Sequence, residues 1–231
     1  MRQPSGNISG EDAGMLLRAL SRRIDSSLMP QACVFCGVPS LADEGHICAG
    51  CQADLTYCDR VVERPRPFVA VVAPLVYTFP LDAAIKALKF KRKLYYVPAF
   101  GEILCAALQH VPMPVDALLP VPLHWWRHVT RGFNQADELC KPIREATGIP
   151  LLRAVKRCRA TAPQSGLAAP QRRKNLSAAF RTRRKLEAKH VLIIDDVITT
   201  GETTGAIASV LLDAGVKQVS VLALARAEKM R

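Results

Sequence analysis

Two stretches combine residue types and spacings that can do chemistry. The first is CVFCGVPSLADEGHICAGC, in which Cys33-x2-Cys36 and Cys48-x2-Cys51 are separated by eleven residues. Two such knuckles can deliver four thiolates to one tetrahedral ion. A four-sulfur site leaves no coordination position open, so a Zn2+ held there would support a fold rather than catalyse. A pair of disulfides is the alternative, which a reducing compartment argues against. His46 is a substitute ligand and Cys58 a spare thiol. Cys105, Cys140 and Cys158 have no partner at a ligand spacing and are expected to pack as ordinary side chains.

The second stretch is IIDDVITTGETT, residues 193–204, where the adjacent carboxylates Asp195 and Asp196 close an apolar run and are followed by four threonines and a glycine. A turn through Thr199, Thr200, Gly201, Glu202 and Thr203 that opens a helix would converge backbone N–H groups and hydroxyls on an anion, aided by the helix dipole. That is a cradle for phosphate. Two carboxylates beside a phosphate must face something else, either sugar hydroxyls that donate to them or a hydrated Mg2+. Capping of the following helix is the plainer alternative. Neither GxxxxGK[ST] nor GxGxxG occurs in the chain, so a P-loop and a dinucleotide fingerprint are both unsupported. The ligand that fits carries a hydroxyl pair and a phosphate.

Regular elements must bring this turn to a binding edge. VLIID (191–195) and QVSVLALAR (218–226) are apolar without alternation, as strands covered on both faces are. Between them GAIASVLLDAG (205–215) carries Ile207, Val210, Leu211 and Ala214 at helical spacing and ends on Gly215. Strand, helix, strand predicts a parallel sheet, and ligands of such sheets sit beyond the carboxyl ends of the strands, where the two aspartates fall. AVVAPLVYTF (70–79), DALLPVPLHWW (116–126) and LLRAVKR (151–157) read as further strands. LDAAIKALKFKRK (81–93), VPAFGEILCAALQHV (97–111) and QADELCKPIREATG (135–148) read as helices. In the first of these, Ala84, Ile85 and Leu88 share the apolar face, with Lys86 and Lys89 expected elsewhere on the surface. The resulting organisation is an α/β domain over 68–231, a zinc-ribbon module over 31–62, a proline-rich linker ERPRP (63–67), and a partly disordered extension over 1–30.

Lys and Arg number 32 against 20 Asp and Glu, a net charge of +12, concentrated in FKRK (90–93), QRRKN (171–175) and RTRRK (181–185). Polyanions, whether nucleic acid or phosphorylated small molecules, are suitable ligands, although a basic run can equally be a solvated face. The longest apolar stretch, FVAVVAPLVYTF (68–79), is interrupted by a proline and falls short of the roughly 20 residues that span a bilayer. The first thirty residues lack a continuous apolar h-region, so the expected location is cytoplasmic.

VLIIDDVITTGETT resembles the phosphoribosyl pyrophosphate (PRPP) signature of type I phosphoribosyltransferases. The cysteine knuckles, LPVPLHWWRHVTRGFNQADELCKPI (119–143), with its diagnostic RGFNQ, and RATAPQSGLAAPQRRKNLSAAF (159–180) make the chain similar to the ComF/GntX group within them. The resemblance runs from Cys33 to Arg226. It implies the type I phosphoribosyltransferase fold, a twisted and mainly parallel sheet flanked by helices, with an N-terminal four-cysteine zinc ribbon. It further implies that Asp195 and Asp196 take the ribose hydroxyls with Mg2+ nearby, and that Thr199, Thr200, Gly201, Glu202 and Thr203 wrap the 5′-phosphate. Val121, Pro122, Leu123, Arg127 and Arg131 would face the pyrophosphate, and Arg172, Arg173, Lys174 and Asn175 would belong to a mobile lid. The implied reaction displaces pyrophosphate from C1 of PRPP with an unidentified nitrogen acceptor. Relatives that use 6-oxopurines place an aspartate base where this chain has Thr199, so no residue is assigned to catalysis. The group is also associated with competence, which implies an alternative role in handling single-stranded DNA, with the PRPP pocket regulatory or vestigial. Trp125, Trp126, Arg127, His128 and Arg131 would offer stacking and charge for that purpose. A homodimer or a competence-machinery protein are the further partners the resemblance suggests.

Overall fold

The structure is a computed structural model that describes residues 32–39, 45–59, 61–123, 129–158, 179–182 and 185–227. The expectations for 1–30, for Trp125, Trp126, Arg127 and His128, and for Arg172, Arg173, Lys174 and Asn175 lie outside the described residues. The chain divides into two compact units, 1–52 and 53–231. A short helix, α1 (Ala49–Ala53), carries the last cysteine of the knuckles.

The strands of the larger unit are β1 (Val62–Glu63), β2 (Ala70–Val72), β3 (Leu75–Val76), β4 (Ala117–Pro120), β5 (Lys156–Arg157), β6 (Phe180–Arg181), β7 (His190–Ile198) and β8 (Gln218–Arg226). Six of them form one sheet in the order β1-β2-β8-β7-β4, with β3 also paired to β8; β5 and β6 form a separate antiparallel pair. Among the described residues only β1 is antiparallel within the main sheet. The helices are α2 (Leu81–Lys91), α3 (Val97–Ala107), α4 (Gln135–Thr147) and α5 (Glu202–Asp213). The architecture is therefore α/β on a mostly parallel sheet. No helix among the described residues is long and apolar enough to cross a membrane.

The central strands explain the unbroken apolar runs. Val191, Ile193, Val219, Val221 and Ala223 point into a core shared with Ile207, Ala208 and Leu211 of α5. Leu192, Ile194, Leu222 and Leu224 alternate with them and are just as inaccessible, because side chains of a strand point to opposite faces in turn. Both faces of β7 and β8 are thus covered, and the strands can carry no polar alternation.

Three elements depart from the sequence reading. AVVAPLVYTF is two strands, because Pro74 has no N–H to continue the ladder; its carbonyl instead accepts from Cys58 N–H at 2.9 Å. LLRAVKR follows β4 only through the hydrogen bonds of Leu118 with Pro150 and Leu152, then leaves the sheet, and only Lys156–Arg157 is a strand. The strand expected to end at Asp195 runs on to Ile198, since Val197 and Ile198 resume pairing with Ala225 and Arg226. The aspartates are therefore inside the last turns of a strand and not after it.

Helices α3 and α4 meet at a glycine. A Cβ on Gly101 would lie 2.4 Å from Cγ and 2.5 Å from Cβ of Pro142, so the absence of a side chain sets how closely the two helices approach. Gly101→Ala is expected to destabilise the larger unit by about 1–3 kcal/mol through overpacking, read from the midpoint of urea unfolding. An unchanged midpoint would show that α3 and α4 can separate without loss.

Candidate functional site

The end of β7 is shaped by its own side chains. Asp196 N–H donates to Asp195 Oδ1 at 2.9 Å, and Val197 N–H donates to Asp196 Oδ1 at 2.8 Å. Short acidic side chains that bond the adjacent backbone in this way compete with the ladder. Asp196 is only 3% exposed, whereas Asp195 is half-buried. Burial and the neighbouring Asp196 charge push the Asp195 carboxyl well above the usual carboxylate range, opposed by the Asp196 backbone N–H and by Lys89. Asp196 is neutralised from another element: Lys89 Nζ, on the last turn of α2, lies 2.7 Å from Asp196 Oδ2.

Beyond the strand, Thr199 and Thr200 are exposed, and Gly201, at φ 72°, opens α5 in the left-handed conformation that favours glycine. Thr204 Oγ1 donates to Gly201 O at 3.0 Å, which fixes the first turn. The helix begins at Glu202, three residues before the apolar pattern starts, and Glu202 N–H donates to Thr200 Oγ1 at 3.5 Å. Glu202 and Thr203 are half-buried there.

A second wall comes from the loop after β4. Val121 N–H donates to Ile194 O at 3.0 Å, continuing the pairing past Pro120, while Pro122 and Leu123 are half-buried. RGFNQ holds this loop. Asn134 caps α4 by accepting from Ala136 N–H at 3.1 Å, and its Nδ2 donates to Val121 O at 3.1 Å. One side chain therefore starts a helix and pins the loop. Arg131 donates through Nη1 to Gln135 Oε1 at 3.2 Å, and its guanidinium lies 4.9 Å from the centre of the Phe90 ring. Arg92 lies over Phe133 at 6.0 Å. The structure thus brings Asp195, Asp196, the 199–203 turn and the 121–123 loop to one edge of the sheet, with Arg131 held on α2 by Phe90.

Sequence reasoning missed Lys89. It was expected on the helix surface with Lys86, but only Lys86 is there, paired with Asp82 at 2.7 Å. Lys89 borders the apolar face one residue after Leu88, and the signal available was that a cation placed there must find a buried partner.

In the smaller unit the Sγ atoms of Cys33, Cys36, Cys48 and Cys51 all lie within 4.8 Å of one another. Cys36 and Cys48 sulfurs are 3.7 Å apart, matching the roughly 3.8 Å edge of a tetrahedron with Zn–S bonds near 2.3 Å and far from a disulfide. None of the eight cysteines is in a disulfide. Hydrogen bonds of Cys33 N–H to Val38 O, Gly37 N–H to Cys33 O and Val34 N–H to His46 O fold the knuckles over the cluster, and Cys51 N–H approaches Cys48 Sγ at 3.5 Å. Burial raises the Cys33 thiol, but backbone hydrogen bonds with Cys48, Cys36 and Phe35 outweigh it and leave it at about 6. Burial and the surrounding thiols push Cys51 up. Four convergent sulfurs, one of them stabilised as a thiolate, can bind a structural metal such as zinc; His46 is outside the set. Elemental analysis is expected to find about one zinc per chain, lost in Cys36→Ser with Cys48→Ser and kept in Cys105→Ser. Metal-free protein, or zinc retained by the double variant, would contradict this.

No protein-family model matches the chain. It is 36% identical over 211 residues to the DNA utilization protein YhgH of Escherichia coli O157:H7, covering 88% of this chain and 86% of that one. It is 36% identical over 219 residues to the Salmonella typhi protein of the same name, covering 90% and 87%. With Competence protein F of Haemophilus influenzae it shares 33% identity over 193 residues, covering 78% and 84%. Among solved structures it is similar to a hypoxanthine phosphoribosyltransferase from Staphylococcus aureus, with TM-score 0.33, 16% identity and coverage of 58% and 64%. It is also similar to one from Trypanosoma cruzi, with TM-score 0.34, 16% identity and coverage of 60% and 69%. At these sequence identities over most of both chains, the protein belongs to the family of the DNA utilization protein YhgH and Competence protein F, the ComF/GntX group that its motifs resemble.

Proposed function

We propose that the edge formed by β7, α5 and the loop after β4 binds PRPP and that the chain is a phosphoribosyltransferase-like protein. The observation that carries this reading is the juxtaposition of Asp195 with a glycine-opened helix N-terminus whose Thr199 and Thr200 are exposed. Asp195 accepts from a ribose hydroxyl, and the N–H groups of 201–203 with the threonine hydroxyls take the 5′-phosphate. The 121–123 loop and Arg131 face the pyrophosphate, whose oxygens suit a guanidinium fork. Asn134 acts here by fixing the loop. Mg2+, bound with the substrate, supplies charge neutralisation to the leaving pyrophosphate.

Turnover would break the C1–O bond to pyrophosphate and form a C1–N bond to the acceptor, which gives up a proton. Thr199 is exposed and has no acid–base capacity suited to taking that proton. At a PRPP concentration of about 100 times Kd, with Mg2+, the expected stabilisation is about 2.7 kcal/mol, or roughly 5–10 °C in Tm. Asp195→Asn with Asp196→Asn is expected to abolish most of it. An undiminished shift in that variant would remove the carboxylates from the site, and pyrophosphate release against a panel of nitrogen acceptors tests whether binding leads to reaction.

A second reading, the handling of single-stranded DNA, is favoured by a specific observation and by the names of the relatives. Phe90 and Tyr95 are 69% and 51% exposed, and each carries a cation at its ring: Arg131 at 4.9 Å and Lys93 at 5.8 Å. Exposed rings interleaved with positive charge suit unstacked bases and phosphates. Phe90→Ala with Tyr95→Ala is expected to weaken oligonucleotide binding by about 1–3 kcal/mol per lost stack while leaving the salt slope unchanged. Binding that does not weaken with added salt would count against the phosphate contacts.

A further inference from the structure

We infer that Lys89 is a positioning residue for PRPP: through Asp196 it sets the orientation of Asp195, the carboxylate that meets the ligand. This deepens the PRPP reading above and rests on it. Asp196 Oδ1 accepts from Val197 N–H at 2.8 Å, Oδ2 forms an ion pair with Lys89 Nζ at 2.7 Å without hydrogen-bond alignment, and the residue is 3% exposed. Asp195 differs on each count, being half-buried, with Oδ1 accepting from Asp196 N–H at 2.9 Å. The adjacent carboxylates therefore differ in their partners, Asp196 being paired with Lys89 and Asp195 being the more exposed residue of the two.

The connection between them is short. The Asp196 side chain is clamped between Lys89 and Val197 N–H, and the Asp196 peptide N–H is what holds Asp195 Oδ1. Lys89 holds the Asp196 side chain, and that side chain meets the Asp195 carboxyl directly, so fixing the one carboxyl restrains the other. Without the ammonium, a carboxylate buried beside a second one would have to turn toward water, and the Asp195 carboxyl would lose the side chain it now meets. Lys89 is itself 19% exposed and sits on the helix that carries Phe90 under Arg131, so movement of α2 would be felt on both sides of the edge.

The test is PRPP affinity, measured calorimetrically with Mg2+, for wild-type protein and for Lys89→Met, Lys89→Arg, Asp196→Asn and the Lys89→Met/Asp196→Asn double variant, each with its ligand-free Tm. Lys89→Met is expected to weaken PRPP at least about tenfold, Lys89→Arg to stay within about threefold of wild type, and the double variant to bind no worse than Asp196→Asn, since coupled partners are not additive. A purely structural lysine would lower Tm without the arginine rescue of affinity. Wild-type affinity in Lys89→Met, or losses that multiply in the double variant, would overturn the role of Lys89. If Lys89→Met does not fold, the comparison of Asp196→Asn with the double variant, together with Lys89→Arg, still decides it. Wild-type protein that fails to bind PRPP would overturn the ligand assignment itself, and with it this inference.

Discussion

A carboxylate that must be buried at the end of an apolar strand needs a cation, and the arrangement of the sheet edge follows from that need. Asp196 sits in β7 between Ile194 and Ile198, its buried neighbours on the same face, where an unpaired charge would be expelled. The Lys89 ammonium meets it at 2.7 Å, which permits the strand to resume pairing at Val197 and Ile198 and so to carry the chain on to Gly201 in register. Because Lys89 comes from the C-terminal turn of α2, the same ion pair draws that helix end to the sheet edge, where Phe90 and Arg92 meet Arg131 and Phe133.

Asn134 performs a comparable service on the far side of the edge. Its carbonyl starts α4 and its amide holds the Val121 carbonyl, so a helix cap and a loop anchor are one residue. The edge is thus assembled from three directions, by β7 with α5, by α2, and by RGFNQ with the loop after β4. The cysteine knuckles belong to a separate unit, and their four sulfurs are held together by turn hydrogen bonds.

Features set by local pattern were legible in the sequence. β8 spans the QVSVLALAR run from end to end, α4 stops at Gly148, and the four cysteines converge as their spacing requires. Apolar runs, caps and knuckles are short-range signals, and short-range physics produces them. Features set by partners distant in the chain were not legible. The length of β7 past the aspartates depends on pairing with Ala225 and Arg226, and LLRAVKR leaves the sheet after Leu152 despite its strand-like composition. Lys89 belongs to the same class: its helix shows a cation beside an apolar face, but the carboxylate that draws it inward is supplied by another element. Asp195 and Asp196 were legible as a pair, and their unequal burial was not.

The central claim is that the β7 edge receives a phosphorylated ribose through Asp195 and the 199–203 turn. A crystal structure of the chain with PRPP and Mg2+ tests it most directly. The account predicts a ribose hydroxyl within hydrogen-bonding distance, about 2.6–3.2 Å, of an Asp195 oxygen, the 5′-phosphate on the N–H groups that open α5, and Lys89 still on Asp196. A ligand bound elsewhere, or one at this edge whose ribose does not touch Asp195, would contradict it.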